Sequence, residues 1–404
     1  MATLRPFRAL RPSPDRAARV AAPPYDVVNT REARALAQGN ADSYLHVSRP
    51  EIDLPEGTDE HADSVYAKGA ENLADFGKRG VLRRDADPHF YVYAQRMGNH
   101  RQVGLVACAS VAEYDADVIK KHEKTRQDKE DDRTRHIDTL GAHDEPVFLT
   151  YRALAAIDAA VAKVTHAPAE YEFTTADRVE HRLWVAPAES VREIEHLFGR
   201  VPALYVADGH HRSAAASRVH ALRRDRPGEH DVFLAVVFPH DQMQILAYNR
   251  LVKDAKRRSP AELQAALAGV LDLSPGGAPQ PDGPLSFGVY CGGRWYSARV
   301  RAGSYDARDP VKALDCSILQ DQVLSRIFGI ADPRLDKNVD FVGGIRGAKE
   351  LERRVNEEGW DLAFHLFPTR IDQLLAVSDA GLLMPPKSTW FEPKLRSGLF
   401  VHSF

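Results

Sequence analysis

The chain has 404 residues, 44% of them hydrophobic and 27% charged, with a formal net charge of −3. It can therefore bury more than one core, and it has no overall attraction to nucleic acid or to anionic membranes. The three cysteines are widely spaced, and the N-terminus lacks the apolar stretch of a secretory signal. The sequence also lacks a run of roughly 18 uncharged apolar residues. We therefore expect a soluble cytoplasmic protein without nucleic-acid or membrane partners.

Predicted helices and strands alternate through the first half of the chain. Asn29 or Thr30 can cap a helix that Gly39 ends. Apolar periodicity and turn residues then predict further elements. These are a helix over 63–82, strands over 89–97 and 101–114, a strand over 145–152, a helix over 153–164, a strand pair over 171–186, a helix over 188–200, a short buried strand over 202–208 and a helix over 211–225.

The second half has more strands than the strand–helix–strand pattern of a doubly wound sheet requires. Segments 231–239 and 243–252 are predicted as paired strands around the turn HDQ, with a helix over 259–272 after them. Proline and glycine make 274–284 the best linker candidate. We expect an α+β fold with mixed sheets. The predicted regions are 1–118, 119–273 and 285–404.

A dense group of polar residues lies where the strand over 202–208 meets the next helix. The first backbone N–H groups of a helix are unpaired and favour an anion, and Gly209 lets a phosphate approach them. Arg212 adds a bidentate donor, while His210 and His211 can donate protons or bind a metal. Asp208 can hold Mg²⁺ or a substrate hydroxyl. The alternative is a helix capped by Asp208, with solvated histidines.

The most charged stretch, residues 119–140, contains the segment HEKT. Basic groups surround Glu123, which can face a phosphate donor as a catalytic base. His122 and Thr125 beside it are candidate substrate-binding residues. The alternative is a solvated helix with ion pairs between residues four apart.

A rigid Pro-Pro turn precedes Tyr25 and Asp26. It can fix an aromatic ring and a carboxylate at the edge of a cleft, so both are candidate substrate-binding residues. Asp26 is also an alternative to Glu123 in the catalytic assembly. The structural alternative is an ordinary loop with a capping aspartate.

Near the C-terminus, Lys387, Ser388 and Thr389 follow two prolines. A lysine beside two hydroxyl groups suits phosphate contacts, although no GxxxxGK[ST] pattern is present. The alternative is a segment that docks by its apolar side chains. We expect a mixed role, in which these three residues reach the active cleft and bind phosphate. Elsewhere the histidines are scattered, which argues against zinc.

The Asp-Gly-His-His-Arg junction resembles the phosphate-binding box of the ParB/sulfiredoxin superfamily, and is most similar to the version in its free-serine kinases. Over nearly the whole chain, the segments AAPPYDVV, KHEKT, EPVFLTY, ADGHHR and MPPKSTWFEPKLRSGL resemble the family catalogued as domain of unknown function 1015. The resemblance implies a ParB/sulfiredoxin-like strand–turn–helix nucleotide site within residues 119–273. Because free-serine kinases use a glutamate to take the hydroxyl proton, it implies that Glu123 is the base.

These observations predict a nucleotide-dependent kinase, a phosphotransferase with an alcohol group as acceptor and free L-serine as leading candidate. Glu123, Asp208 and His210 are the expected catalytic residues, and Gly209, His211 and Arg212 the expected phosphate ligands. Mg²⁺ is the expected cofactor and ATP or ADP the co-substrate. The expected partners are a small molecule and a nucleotide, with a homodimer left open. A metal-dependent phosphohydrolase and a non-enzymatic nucleotide switch are the alternatives.

Overall fold

The computed structural model describes residues 1–404, which form two compact units. The first unit comprises residues 1–243 and 393–404, and the second comprises residues 244–392. The strands, in chain order, are β1 (Leu4–Arg5), β2 (Leu10–Pro12), β3 (Leu82–Arg84), β4 (Tyr91–Met97), β5 (His100–Ser110), β6 (Ile119–Lys120), β7 (Ala142–His143), β8 (Val147–Tyr151), β9 (Tyr171–Thr174), β10 (Val179–Val185), β11 (Leu204–Asp208), β12 (Val232–Pro239), β13 (Ile245–Leu246), β14 (Tyr248–Val252), β15 (Leu271–Pro275), β16 (Ser286–Cys291), β17 (Arg294–Val300), β18 (Val339–Gly343), β19 (Leu362–Leu366), β20 (Trp390–Phe391) and β21 (His402–Ser403). The α-helices are α1 (Ala17–Val20), α2 (Thr30–Ala37), α3 (Leu45–Ser48), α4 (Asp63–Lys78), α5 (Val111–Asp115), α6 (Gln127–Leu140), α7 (Ala155–Thr165), α8 (Ala188–Phe198), α9 (His210–Arg223), α10 (Pro260–Ala268), α11 (Asp315–Leu319), α12 (Arg326–Phe328), α13 (Gly347–Glu357) and α14 (Ile371–Asp379).

A nine-stranded sheet forms the centre of the first unit. Eight of its strands follow the order β6-β11-β8-β12-β5-β4-β10-β9, and β1 pairs with β5. The pairs β6–β11 and β8–β12 are parallel, whereas the other pairs of this sheet are antiparallel. The prediction of an α+β fold with mixed sheets is therefore confirmed.

The main core of the first unit packs on this sheet, because its central strands consist largely of apolar residues. Every residue of β12 is buried, as expected for a strand covered on both faces. Helices α7 and α8 add Ile157, Ile194 and Phe198 to this core, and α9 adds Ala216. Since alanine is small, it allows α9 to approach the sheet closely.

Local sequence signals correctly predicted several elements of this unit. Asn29 caps α2 through two reciprocal hydrogen bonds with Glu32, the arrangement of a capping box. The helices predicted over 63–82 and 211–225 are α4 and α9, and the strand pair predicted over 171–186 is β9 with β10.

Two predictions for the second half of the chain are wrong. The strands over 231–239 and 243–252 do not pair, because β12 joins β5 and β8 while β14 joins β18 and β19. The boundary between the two units falls at Met243, directly after the turn HDQ. The segment 274–284 does not separate domains, because it connects β15 with β16, which both pair with β17.

The two units also differ from the three regions predicted from the sequence. Strands β4 and β5, from 1–118, share one sheet with β8, β11 and β12, from 119–273. The last residues, 393–404, return to the first unit, where β21 pairs with β7. Pairing between strands so distant in sequence leaves no signal in composition.

The second unit is built on a six-stranded antiparallel sheet in the order β15-β17-β16-β19-β14-β18. Leu251, Val342, Leu351 and Ala363 form its buried cluster, with Trp360 packed against them. Neither unit contains a helix with both the length and the apolar character that crossing a bilayer requires.

Candidate functional site

The Asp208–Arg212 turn joins the end of β11 to the first turn of α9. Gly209 has φ +98° and ψ 28°, in the left-handed region that glycine adopts without steric cost. No side chain caps α9, and the N–H of Ser213 is bonded to the carbonyl oxygen of Gly209 at 3.0 Å. The N–H groups of residues 210–212 therefore mark the positive end of an uncapped helix. Capping by Asp208, the alternative weighed from the sequence, does not occur.

The 121–126 loop, which follows β6, lies beside this turn. β6 runs parallel to β11, and the carboxyl ends of neighbouring parallel strands meet at one edge of a sheet. The backbone N–H of Arg126 donates to His211 Nε2 at 3.1 Å, and that of His122 lies 3.5 Å from His210 Nε2. The two histidines of the turn thus contact both ends of the segment 122–126.

His122, Glu123 and His210 meet in one cluster, in which the candidate ligand atoms all lie within 4.8 Å of one another. The two imidazole rings meet edge to face, with centroids 4.4 Å apart. Burial lowers the pKa of His122 to about 4, against a smaller opposing effect of the Val206 backbone. Burial and the neighbouring His122 hold the pKa of His210 well below its usual value. The fold thus brings two of the scattered histidines together, and the expectation against zinc stays a prediction.

The carboxylate of Asp208 already has donors on both oxygens. Lys394 Nζ donates to Asp208 Oδ2 at 3.1 Å, with an Arg212 guanidinium nitrogen 4.0 Å away, and the N–H of Gly209 donates to Oδ1 at 3.0 Å. Burial raises the pKa of Asp208, but the charges of Lys394 and Arg212 outweigh this and hold it well below its usual range. A magnesium ion at this carboxylate would lie beside two cationic side chains, which disfavours it electrostatically. The magnesium site at Asp208 therefore stays a prediction.

Arg212 lies on the protein side of the turn. It is only 7% exposed, and its guanidinium group donates to the carbonyl oxygen of Pro146. A Cβ atom on Gly209 would lie 3.1 Å from that guanidinium group. Arg212 thus packs against the turn on its buried side. Direct contact between this residue and a phosphate stays a prediction.

Of the two candidate residues in the Pro-Pro turn, Asp26 is exposed and Tyr25 is buried. Burial lowers the pKa of His211, and the negative charge of Asp26 opposes this effect. Asp26 therefore lies close enough to interact with His211 of the turn. The Arg133 guanidinium carbon lies 3.9 Å from the centre of the Tyr25 ring. Asp26 thus keeps a free carboxylate near the turn, whereas the ring of Tyr25 packs against Arg133.

Glu145 is a buried carboxylate behind the turn. Its Oε1 accepts hydrogen bonds from the Tyr25 N–H at 3.0 Å and the Ser397 hydroxyl at 2.8 Å, while Oε2 has no hydrogen-bond partner. Burial and the neighbouring Asp144 raise the pKa of Glu145 to about 7. Raised carboxyl pKa values of this kind concentrate at functional sites.

Helix α6 carries most of the charged run, and one face of it is buried, so the alternative of a wholly solvated helix is wrong. Asp132 accepts a hydrogen bond from the Tyr66 hydroxyl at 2.8 Å and pairs with Arg133 at 2.8 Å. His136 Nε2 lies 3.1 Å from Asp144 Oδ2. Because buried charges require partners, these pairs explain why so polar a helix packs inside the unit.

Within the 121–126 loop, Glu123 is half-buried. The lysines around it in the sequence do not all face it, since Lys121 Nζ lies 4.3 Å above the ring of Tyr114. Thr125, a predicted substrate-binding residue, donates its hydroxyl hydrogen to Glu130. Its hydroxyl donor is therefore used in an internal hydrogen bond.

The Lys387–Thr389 segment belongs to the second unit. The hydroxyl of Ser388 donates to the carbonyl oxygen of Pro385 at 2.6 Å and lies 3.1 Å from Cys316 Sγ. Arg250 donates to the carbonyl oxygen of Lys387 at 3.0 Å. The phosphate-binding role of this segment stays a prediction.

The family to which these segments point can now be compared directly. The sequence profile described as "Protein of unknown function (DUF1015)" matches residues 4–317, more than half of the chain. The chain belongs to the DUF1015 family. No curated protein matches it.

Solved structures resemble this DUF1015 protein only at low sequence identity. A free serine kinase in complex with AMP is 13% identical, with a TM-score of 0.36 over 70% of this chain and 89% of that chain. SbnI from Staphylococcus aureus, truncated at its C-terminus, is 12% identical, with a TM-score of 0.38 over 74% and 87%. A conserved hypothetical protein from Pyrococcus furiosus is 12% identical, with a TM-score of 0.36 over 71% and 92%.

Sequence reasoning missed two side chains at the site of this DUF1015 member, Lys394 and Glu145. Both fall in segments that carried the family resemblance, KLRSGL and EPVFLTY, so a signal was present. Spacing could not have assigned their roles, because Lys394 reaches Asp208 across 186 positions and Ser397 reaches Glu145 across 252.

Proposed function

We propose that the protein is a nucleotide-dependent phosphotransferase that passes a phosphoryl group from ATP or ADP to the hydroxyl group of a small metabolite, with free L-serine as the first candidate. The observation that carries the proposal is the uncapped start of α9 after Gly209, beside the 121–126 loop. Backbone N–H groups at such a helix start bind phosphate oxygens, and a glycine there lets the phosphate come close. The resemblance to the ParB/sulfiredoxin superfamily, which implies a strand–turn–helix nucleotide site in residues 119–273, also supports the proposal.

Phosphoryl transfer needs positioned phosphates and a base for the acceptor hydroxyl more than it needs covalent chemistry by the protein. Glu123 is placed to act as this base, because one of its carboxylate oxygens lies within 4.8 Å of a ring nitrogen of His210, at the turn. In the proposed step Glu123 takes the hydroxyl proton, the acceptor oxygen forms a bond to the terminal phosphorus, and the bond from phosphorus to the nucleotide breaks. Asp26 is the alternative base.

Asp208 acts in this proposal as a positioning residue, since it fixes Lys394 at the turn. The Lys394 ammonium thereby lies at the turn as a positive charge, which supports binding of a phosphate there. The proposal requires no magnesium ligand from Asp208, and Mg²⁺ enters bound to the nucleotide, as part of the substrate.

A metal-dependent phosphohydrolase is the second candidate, and the cluster of His122, Glu123 and His210 is the observation that favours it. Two imidazoles and one carboxylate are a ligand set of zinc hydrolases, which leave a further position for water. Such an enzyme would use the same phosphate site and transfer the phosphoryl group to water.

One experiment tests both candidates. The protein is incubated with Mg²⁺ and ATP or ADP, with and without a pool of hydroxylated metabolites that includes L-serine, and products are identified by mass spectrometry. The proposal expects a phosphorylated metabolite and slow phosphate release without the pool. Fast release of phosphate regardless of the pool would replace the kinase by the phosphohydrolase, and neither product would overturn both.

A further inference from the structure

The cluster of His122, Glu123 and His210 combines side chains from two elements. His122 and Glu123 lie in the loop after β6, and His210 is the first residue of α9. Their candidate ligand atoms lie within 4.8 Å of one another, although His122 and His210 are 88 positions apart in sequence. In tetrahedral zinc sites with bonds of about 2.0–2.2 Å, ligand atoms are about 3.3–3.6 Å apart. A shift of about 1 Å or less per side chain would therefore close the cluster around an ion.

The state of His122 points to a ligand at this place. Its side chain is 1% exposed, and neither ring nitrogen makes a hydrogen bond of normal geometry, although the Val206 backbone lies close enough to raise its pKa. Buried polar atoms without partners cost free energy, and they are commonly satisfied by a bound water or ion. His210 Nε2 accepts one long contact from the loop, from the backbone N–H of His122 at 3.5 Å. Both imidazoles thus have a lone pair that a metal could use at little cost in existing hydrogen bonds.

We propose that His122, Glu123 and His210 bind one divalent transition-metal ion of the zinc class. Imidazole nitrogens favour zinc and its neighbours in the first transition row, whereas Mg²⁺ favours oxygen ligands. This cluster therefore differs in metal preference from the magnesium site predicted at Asp208, whose oxygens hold Lys394 and Gly209. Three protein ligands leave a fourth position for water or a phosphate oxygen.

Metal binding here requires no nucleotide, so it can be tested separately from the proposed phosphoryl transfer. The two proposals compete for Glu123, because a carboxylate that coordinates a metal is a weaker base, and Asp26 is then the alternative base. A protein that binds zinc here but transfers no phosphate would retain this inference and lose the proposed function. A protein that transfers phosphate but binds no zinc would do the reverse.

The test is equilibrium dialysis of the full chain, first freed of metal with EDTA, against micromolar ZnCl₂, followed by elemental analysis. We expect one zinc per chain, and visible absorption bands of low-coordinate Co²⁺ when CoCl₂ replaces ZnCl₂. His122→Ala and His210→Ala should abolish both signals. His211→Ala, in the same helix turn but outside the cluster, should keep them. No zinc on the wild-type protein, or full retention by the His122 and His210 variants, would overturn the inference.

Two further variants cover misfolding and binding elsewhere. Glu123 is half-buried in a loop, so Glu123→Ala should fold, as circular dichroism can verify, and should weaken zinc binding at least about tenfold. Unchanged affinity in that variant would contradict the site. The His220 and His230 Nδ1 atoms lie 3.1 Å apart and form a second close pair. Loss of zinc in His230→Ala, with retention in Glu123→Ala, would place the metal there and sink the proposal.

Discussion

The Asp208–Arg212 turn and the Lys387–Thr389 segment were both predicted to bind phosphate, and they differ in the hydrogen bonds that their groups already make. At the turn, the helix start has no side-chain cap, and the adjacent His122 ring nitrogens make no hydrogen bond of normal geometry. In the second segment, the Ser388 hydroxyl is bonded to the carbonyl oxygen of Pro385, and the carbonyl oxygen of Lys387 accepts from Arg250.

The backbone N–H groups at the start of α9 are open to an anion, whereas the Ser388 hydroxyl is already bonded, so we expect phosphate to bind at the turn rather than at the second segment. A lysine beside two hydroxyl groups suits phosphate, but a hydroxyl committed to a carbonyl has given up its donor. Experiments that treat the two segments alike should therefore give unlike results, and the predictions below are ordered by the size of the expected effect.

The largest effect should come from Glu123→Gln. This change keeps the shape of the side chain and removes the oxygen that accepts the proton, so turnover should fall by roughly 10²–10⁴, while nucleotide affinity stays the same. Single-turnover kinetics with saturating nucleotide, beside calorimetric titration of the nucleotide, would measure both. Normal turnover in this variant, with an inactive Asp26→Asn variant, would move the base to the Pro-Pro turn.

Gly209→Ala should have the next largest effect, on nucleotide affinity. Its φ of +98° disfavours a side chain, and the added Cβ would lie 3.1 Å from the Arg212 guanidinium group, so the turn must shift. Two hydrogen bonds to a charged phosphate lost at about 1.5–3 kcal/mol each correspond to at least about a hundredfold in affinity. Isothermal titration calorimetry would measure this.

Gly39→Ala is the matched control for that variant. Gly39 also has a positive φ, +73°, but its Cβ would meet nothing within 4 Å. It should share the backbone cost of roughly 1–2 kcal/mol in stability and leave nucleotide affinity unchanged. Equal loss of affinity in both glycine variants would mean that the turn has no special role.

The sequence allowed the helix after Gly209 and the capping of α2 to be predicted, because these depend on residues within one turn of each other. It also allowed Glu123 and Asp208 to be selected by chemical type. It could not show that Lys394 neutralises Asp208, or that His122 meets His210, because β6, β11 and the C-terminal segment are brought together only by sheet pairing and chain return.

The same limit explains the errors in the second half. The turn HDQ between two apolar segments is a good hairpin signal. However, β12 pairs with β5 and β8 in the first unit, whereas β14 pairs with β18 and β19 in the second. Strand partners are chosen by packing across the whole sheet, which local patterns do not contain.

Lys394→Met compared with Lys387→Met tests the two segments most directly. Methionine keeps the apolar stem and removes the charge in both cases. At position 394 the change removes a cation from the turn and leaves Asp208 without its 3.1 Å partner, so nucleotide affinity should fall about tenfold or more. At position 387 we expect less than about a twofold change, as for most charges outside a binding site.

Calorimetric titration of the same nucleotide into both lysine variants would decide the matter. An equal loss at position 387 would support the phosphate role predicted for Lys387–Thr389. It would also contradict our expectation that the turn binds phosphate more strongly than this segment does.

The smallest expected effect is on acid stability, and it depends on the buried imidazole of His122. Burial lowers its pKa to about 4, from about 6.5 in an unfolded chain, so between these values the unfolded state binds more protons than the folded state. The free energy of unfolding should therefore fall as the pH falls below about 6.5, by at most about 1.4 kcal/mol per pH unit for this residue.

In His122→Gln that contribution is absent, and because the ring nitrogens make no hydrogen bond of normal geometry, few bonds are lost with it. Urea unfolding of both proteins at pH 7.5, 6.5 and about 5.5, with EDTA present to remove metal, should give a shallower pH dependence for the variant. Parallel curves would mean that His122 is accessible to protons in the folded protein, and the turn would then lose the buried, unpartnered group that distinguishes it from Lys387–Thr389.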